Sequence, residues 1–174
     1  LRFLFEKIKS IINSANNDAI TINNKGVVII EDSDIISTRR NGISVRNGST
    51  LIMNSGSIES QEAGIAGFKD SVIVINDGTI TSFDNGPIMG NGSAAGSAND
   101  GTNMTVIMNG GLLRGQIQTS GYIACGVYIP NTGSFTMNGG TIVSDGCGIC
   151  MRGGQVNLNG GTIVASGTSG VKGK

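Results

Sequence analysis

From Ala19 onward, apolar residues fall at alternate positions in short runs, each closed by Gly, Asn, Asp or Ser. Period-two alternation between turn formers predicts short β-strands with one buried face. The runs also recur. Phe135 to Val143 reads Phe-Thr-Met-Asn-Gly-Gly-Thr-Ile-Val, and Val156 to Val164 reads Val-Asn-Leu-Asn-Gly-Gly-Thr-Ile-Val. Weaker copies lie at Met104 to Leu113, Ser71 to Ile80 and Thr50 to Ile58. Repetition at a near-fixed spacing predicts a solenoid, in which each repeat buries its apolar face on its neighbours.

Two columns set the register. Gly precedes an apolar residue at Gly42-Ile43, Gly64-Ile65, Gly126-Val127, Gly148-Ile149 and Gly170-Val171, and Gly86-Pro87-Ile88 fits with one residue added. Asn follows an apolar residue at Asn54, Asn76, Asn109, Asn138 and Asn159. The irregular intervals place polar insertions near Ala94 to Asn103 and near Gln116 to Tyr122. The expected unit is a coil of about 22 residues with three strands, and about seven such coils stack. In the coil from Gly42 to Ala63, Ile43, Val45, Leu51, Met53 and Ile58 point inward; in the last full coil Ile149, Met151, Val156, Leu158 and Ile163 do so. The first coil is degenerate: Val28, Ile30 and Ile35 keep the core, while Glu31 and Asp32 replace Asn and Ser.

Residues 1–14 follow a different period. Leu1, Leu4, Phe5, Ile8, Ile11 and Ile12 make one apolar stripe at helical spacing, with Arg2, Glu6, Lys7 and Lys9 off it. This predicts an α-helix capping the open first coil. The domain organisation expected is therefore a capping helix over residues 1–14 and a β-solenoid over residues 19–174. A start at Leu1 and a coil begun at Gly170 and cut at Lys174 are what a piece of a longer protein would show.

Composition narrows the chemistry. Lys plus Arg equals Asp plus Glu at 12 each, and charged residues are 14 % of the chain. With no basic field, nucleic acid is not an expected partner. No apolar run approaches the ~20 residues of a membrane-spanning helix. The chain has no His, which removes the commonest general base and zinc ligand. No cofactor or metal is expected. Three cysteines, Cys125, Cys147 and Cys150, do not make a disulfide framework. Cys125 and Cys147 should be vertical neighbours, either bridged or stacked as thiols.

Coils of this length with three strands resemble the right-handed, single-stranded parallel β-helix of pectate-lyase-like proteins and phage tailspikes. The phrase Thr-Met-Asn-Gly-Gly-Thr-Ile, preceded by Gly-Val-Tyr-Ile or Gly-Ile-Cys-Met, is similar to repeats of phage fibre proteins and of large surface proteins of Gram-positive gut bacteria. The resemblance covers roughly residues 19–174. It implies an all-β fold and an elongated virion or extracellular protein: a fibre, spike or capsid-decoration segment, trimeric and bound to a glycan or another virion protein. It also leaves open a carbohydrate-active enzyme, a polysaccharide lyase or glycoside hydrolase, and a secreted bacterial adhesin.

Candidate residues divide along those readings. Stacked Asn54, Asn76, Asn109, Asn138 and Asn159 are expected to form an amide ladder. Glu62 and Asp84 are the carboxylate pair a glycosidase would need, because adjacent strands sit ~4.8 Å apart and retaining enzymes place their carboxyls ~5 Å apart. Arg39, one coil before Glu62, makes an exposed Arg39–Glu62–Asp84 ion ladder the competing expectation. Tyr128 with Arg152, at the end of the outward row Thr21, Ser44, Ala66, Tyr128, Cys150 and Lys172, is the most ligand-like pair. A Thr row, Thr79, Thr141 and Thr162, is interrupted by Ser57 and Leu112 and fits ice poorly.

Overall fold

The computed structural model describes residues 10–90, 101–116, 125–167 and 171–173. Every regular element among them is a β-strand. β1 (Ile11–Ser14) comes first and six complete three-strand turns follow. The first turn is β2 (Ile20–Ile22), β3 (Val27–Ile30) and β4 (Ser33–Ser37). The second is β5 (Ile43–Val45), β6 (Thr50–Met53) and β7 (Gly56–Ser60); the third is β8 (Ile65–Gly67), β9 (Val72–Ile75) and β10 (Thr79–Ser82). The fourth is β11 (Ile88–Gly90), β12 (Thr105–Met108) and β13 (Leu112–Gly115). The fifth is β14 (Cys125–Ile129), β15 (Ser134–Met137) and β16 (Thr141–Ser144), and the sixth β17 (Cys147–Met151), β18 (Gln155–Leu158) and β19 (Thr162–Ala165). β20 (Val171–Gly173) opens a further turn.

Each strand pairs in parallel with its equivalent one turn away. The result is sheet A, β1-β4-β7-β10-β13-β16-β19; sheet B, β2-β5-β8-β11-β14-β17-β20; and sheet C, β3-β6-β9-β12-β15-β18. This is a parallel β-solenoid, in agreement with the repeat. The turns number one fewer than the pattern suggested, because each end contributes a single strand.

Like residues stack on like residues down the core. Ile43, Ile65, Ile88, Val127 and Ile149 form one column in sheet B. Met53, Ile75, Met108, Met137 and Leu158 form one in sheet C. Ile35, Ile58, Ile80, Leu113, Ile142 and Ile163 form one in sheet A. The middle members are fully buried, each contributing about 1.5–3 kcal/mol of burial. Leu158 faces the core as expected but is 50 % exposed, since no complete turn stacks on it among the described residues. The insertions leave the register intact: Asn109 still meets Asn76 across 33 residues.

The N-terminal expectation requires a correction. Ile11–Ser14 is not the end of a helix but strand β1, with Ile11 opposite Asp34 and Ile12 opposite Ile35. Asp34 N donates to Ser10 O and Thr38 N to Ser14 O. The open edge of β4 offers this segment a ladder of backbone partners and an apolar neighbour for Ile12, and β-branched Ile pairs suit a strand. The rest of the expected cap, residues 1–9, lies outside the described residues.

Two turns recur. Between sheets C and A the backbone passes through positive φ, at Gly56 (101°), Gly78 (107°) and Gly140 (86°); Asp32 takes that place in the first turn at 47°. Between sheets B and C, Asn24, Asn47, Asp70 and Asn103 take φ of 54°, 51°, 56° and 57°. Short polar side chains tolerate this left-handed region best. That second column was not anticipated from the spacing of Gly and Asn.

Candidate functional site

The Asn column is a continuous ladder. Asn159 Nδ2 donates to Asn138 Oδ1 and Asn138 Nδ2 to Asn109 Oδ1, both at 2.8 Å. Asn109 Nδ2 donates to Asn76 Oδ1 at 2.8 Å, and Asn76 Nδ2 to Asn54 Oδ1 at 2.7 Å. Asn54 Nδ2 then donates to Glu31 Oε1 at 3.1 Å. All five amides point the same way, and a carboxylate closes the series where the degenerate first turn replaces Asn. Each amide's donor is turned to the turn before.

The carboxylate candidates are not arranged as a single ion ladder. Arg40, not Arg39, reaches Glu62, with Nη1 3.4 Å from Oε1. Arg39 Nη1 instead donates to Asn16 Oδ1 at 3.4 Å. Asp84 Oδ2 accepts from Gln61 Nε2 at 2.7 Å. The offset arises because Glu62 N bonds to Arg40 O, which puts residues 40 and 62 in register. Glu62 and Arg40 are both solvent-accessible, so their pair contributes ~0–1 kcal/mol.

Glu62 does line a cleft, of about 440 Å³, with Asn17, Asp18, Thr21, Arg40, Asn41 and Arg46. Asp18 organises it. Its Oδ2 accepts from Ser44 Oγ at 2.5 Å and lies 3.9 Å from Arg46 Nη2. Its Oδ1 accepts from Asn41 Nδ2 at 3.1 Å and Asn41 N at 3.3 Å. The Arg46 guanidinium carbon sits 3.8 Å from the centroid of Phe68, a cation–π contact that fixes its plane. Two cations and two carboxylates thus meet in a polar, open surface. Asp18 and Asn41 were not singled out from the sequence; their 23-residue separation, one turn, was the available signal.

The outward row of sheet B behaves differently along its length. Thr21 opens on the cleft, but Ser44, Ala66, Tyr128 and Cys150 are buried at 0 %, 6 %, 8 % and 1 % exposure. The middle of this row is therefore an outer core rather than a solvated sheet face. Tyr128 and Arg152 are together, Nη1 donating to Oη at 3.5 Å, yet the Tyr128 ring has little open face. Cys125 and Cys147 are register partners, as their spacing implied, and both are buried thiols. A hydrogen bond with Cys147, then burial, pushes the Cys125 thiol well above its ordinary range. Cys125, Tyr128, Cys147 and Cys150 form a cluster with Met89 packed against it. Among the described residues no three His, Cys, Asp or Glu side chains converge to hold a metal. The Thr row is in register with Ser57 and Leu112 within it.

The fold and these arrangements define the class: a parallel β-solenoid whose polar side chains mostly bind its own turns. Compared with protein-family models, curated proteins and solved structures, the chain finds no match.

Proposed function

We propose that this chain is a non-enzymatic, elongated structural and binding module of a virion fibre, spike or capsid decoration, or of a secreted adhesin. The observation that carries the reading is the turn-to-turn bonding of its polar groups. The Asn ladder runs along the bend between sheets C and A, and the carboxylates that could do chemistry are engaged by neighbours: Glu62 by Arg40, Asp84 by Gln61, Asp18 by Ser44 and Asn41. Such a solenoid is a stiff spacer, with sheet edges only at its ends.

The cleft around Asp18 and Arg46 supports a glycan as partner, because it offers clustered donors and acceptors to a polyhydroxylated surface. Sister chains are the second partner. On the outward side of sheet C, Ile29, Ile52, Val74 and Ile107 form an uncharged β-branched strip in register, with Val27 beside it on β3, and Val27 and Ile29 are about 60 % exposed. Exposed apolar strips of this kind mark contact surfaces.

The test is a polysaccharide panel with wild type and Glu62→Gln. Retention of a polysaccharide without release of sugars in either protein is the expected result. Sugar release that disappears in Glu62→Gln would replace this reading with a carbohydrate-active enzyme. Light scattering should give a trimer; a monomer would remove the fibre and spike form.

A further inference from the structure

The sulfur cluster on the outer side of sheet B has a composition that packing alone does not require. Cys125 and Cys147 occupy paired positions on β14 and β17, one directly above the other. Cys125 Sγ lies 3.9 Å from Met89 Sδ and is hydrogen-bonded to Cys147. Met89 is seated close by: a Cβ added to Gly86 would come within 3.0 Å of its sulfur. The group is walled off from the main core, and its other neighbours are Tyr128 and Cys150. Among the described residues no carboxylate joins the two cysteines as a third ligand, and the chain has no His at all.

We propose that Cys125, Cys147 and the thioether of Met89 bind one Cu(I) ion. A trigonal cation with metal–sulfur bonds of ~2.3 Å holds its sulfurs ~4 Å apart, which is the separation of Cys125 and Met89. Thiolate and thioether donors select Cu(I) over harder cations. Zinc would need a fourth ligand, and the cluster supplies no His or carboxylate for it. The failure of any three His, Cys, Asp or Glu to converge is consistent with this site, since one of its three donors is a methionine. Binding is proton exchange without redox change. Cu(I) enters, both thiols release their protons, and a complex of net charge −1 remains. Arg152 is hydrogen-bonded to Tyr128 of the same cluster. Met89 is half-buried, the most exposed of the three donors. Cys150 is placed over Tyr128 in the strand register, and among the described residues it does not converge with Cys125 and Cys147 as a third ligand.

The experiment titrates the folded chain with Cu(I) under anaerobic conditions against bicinchoninate, followed by X-ray absorption at the copper edge. Wild type is expected to take one equivalent more tightly than the urea-unfolded chain does, in an all-sulfur shell. Cys125→Ser and Cys147→Ser should each weaken binding by about 100-fold or more, and Met89→Leu by at least about tenfold. Cys150→Ser should leave it unchanged. Met89→Leu keeps the apolar volume, so it tests the donor if either Ser variant fails to fold. Binding no tighter than that of the unfolded chain would overturn the proposal. So would nitrogen or oxygen in the first shell, an affinity indifferent to Met89→Leu, or one lost in Cys150→Ser.

Discussion

Asn54 gives its amide hydrogen to Glu31, 3.1 Å away, and this one bond anchors a ladder that continues through four more asparagines. Every amide in the series donates toward Glu31, so the aligned dipoles end on a negative charge. Chains of hydrogen bonds polarise one another, and a charged acceptor strengthens the last of them.

Interruption in the middle of the ladder should therefore cost more than loss of its end. Asn76→Ala removes two bonds and is expected to destabilise by about 1–2 kcal/mol. Glu31→Ala removes one exposed bond and should cost about half as much. Urea unfolding of both variants checks the order; equal costs would mean that the side chains do not act as a ladder.

The turn between sheets C and A makes a second prediction. Gly78 has φ 107°, and a Cβ there would stand 2.6 Å from Met53 Cε and 2.8 Å from Gly56 O. Gly48 also has positive φ, 72°, but its Cβ would meet nothing closer than Lys25 Cγ at 3.5 Å. Gly78→Ala should cost about 2 kcal/mol or more, from strain plus clash, and Gly48→Ala about 1 kcal/mol from strain alone. Paired thermal melts read the difference.

Core stacking should be graded along the rod. Ile75 is fully buried between Met53 and Met108, so Ile75→Ala should destabilise by about 3–4 kcal/mol. Leu158 is in the same column but half exposed, and Leu158→Ala should cost about 1 kcal/mol. Hydrogen exchange should show the same gradient, with β18 and β19 opening before β9 and β12.

The Cys125 thiol gives an alkaline signature in the absence of metal. Its hydrogen bond with Cys147 and its burial raise its pKa above the ordinary 9.0. Above that ordinary value the unfolded chain releases this proton while the folded chain keeps it, so the folded state binds more protons. Stability is then full below pH ~9 and falls as pH rises toward the folded value. Unfolding midpoints between pH ~8 and ~11 should drop in wild type and drop less in Cys125→Ala.

The parts of this protein legible in its residues were the repeated ones. Alternation of Ile43 with Val45, or Leu51 with Met53, declares an inward face, because side chains leave a strand in opposite directions every other residue. Recurrence of the same pattern then stacks like on like. The Asn column follows by the same logic, and its continuation to Glu31 needed only the register. Residues 11–14 misled because two isoleucines and their neighbours fit a helical stripe as well as a strand, and only the vacant edge of β4 decides between them. Single side chains in the turns were also ambiguous. A one-residue offset gives Glu62 to Arg40 and leaves Arg39 to Asn16.

By itself, then, the sequence determined the architecture: a parallel β-solenoid of three-strand turns, its inward columns and its amide ladder. These rest on local periodicity and on repetition, which average out errors at any one position. The tertiary structure alone decided which outward residues are surface. It buried Tyr128 and Cys150, left Thr21 open, and drew Asp18, Asn41 and Arg46 into one cleft. Outward positions have no period to reveal what packs on them; their environment is set by contacts from other turns, and those exist only once the chain is wound.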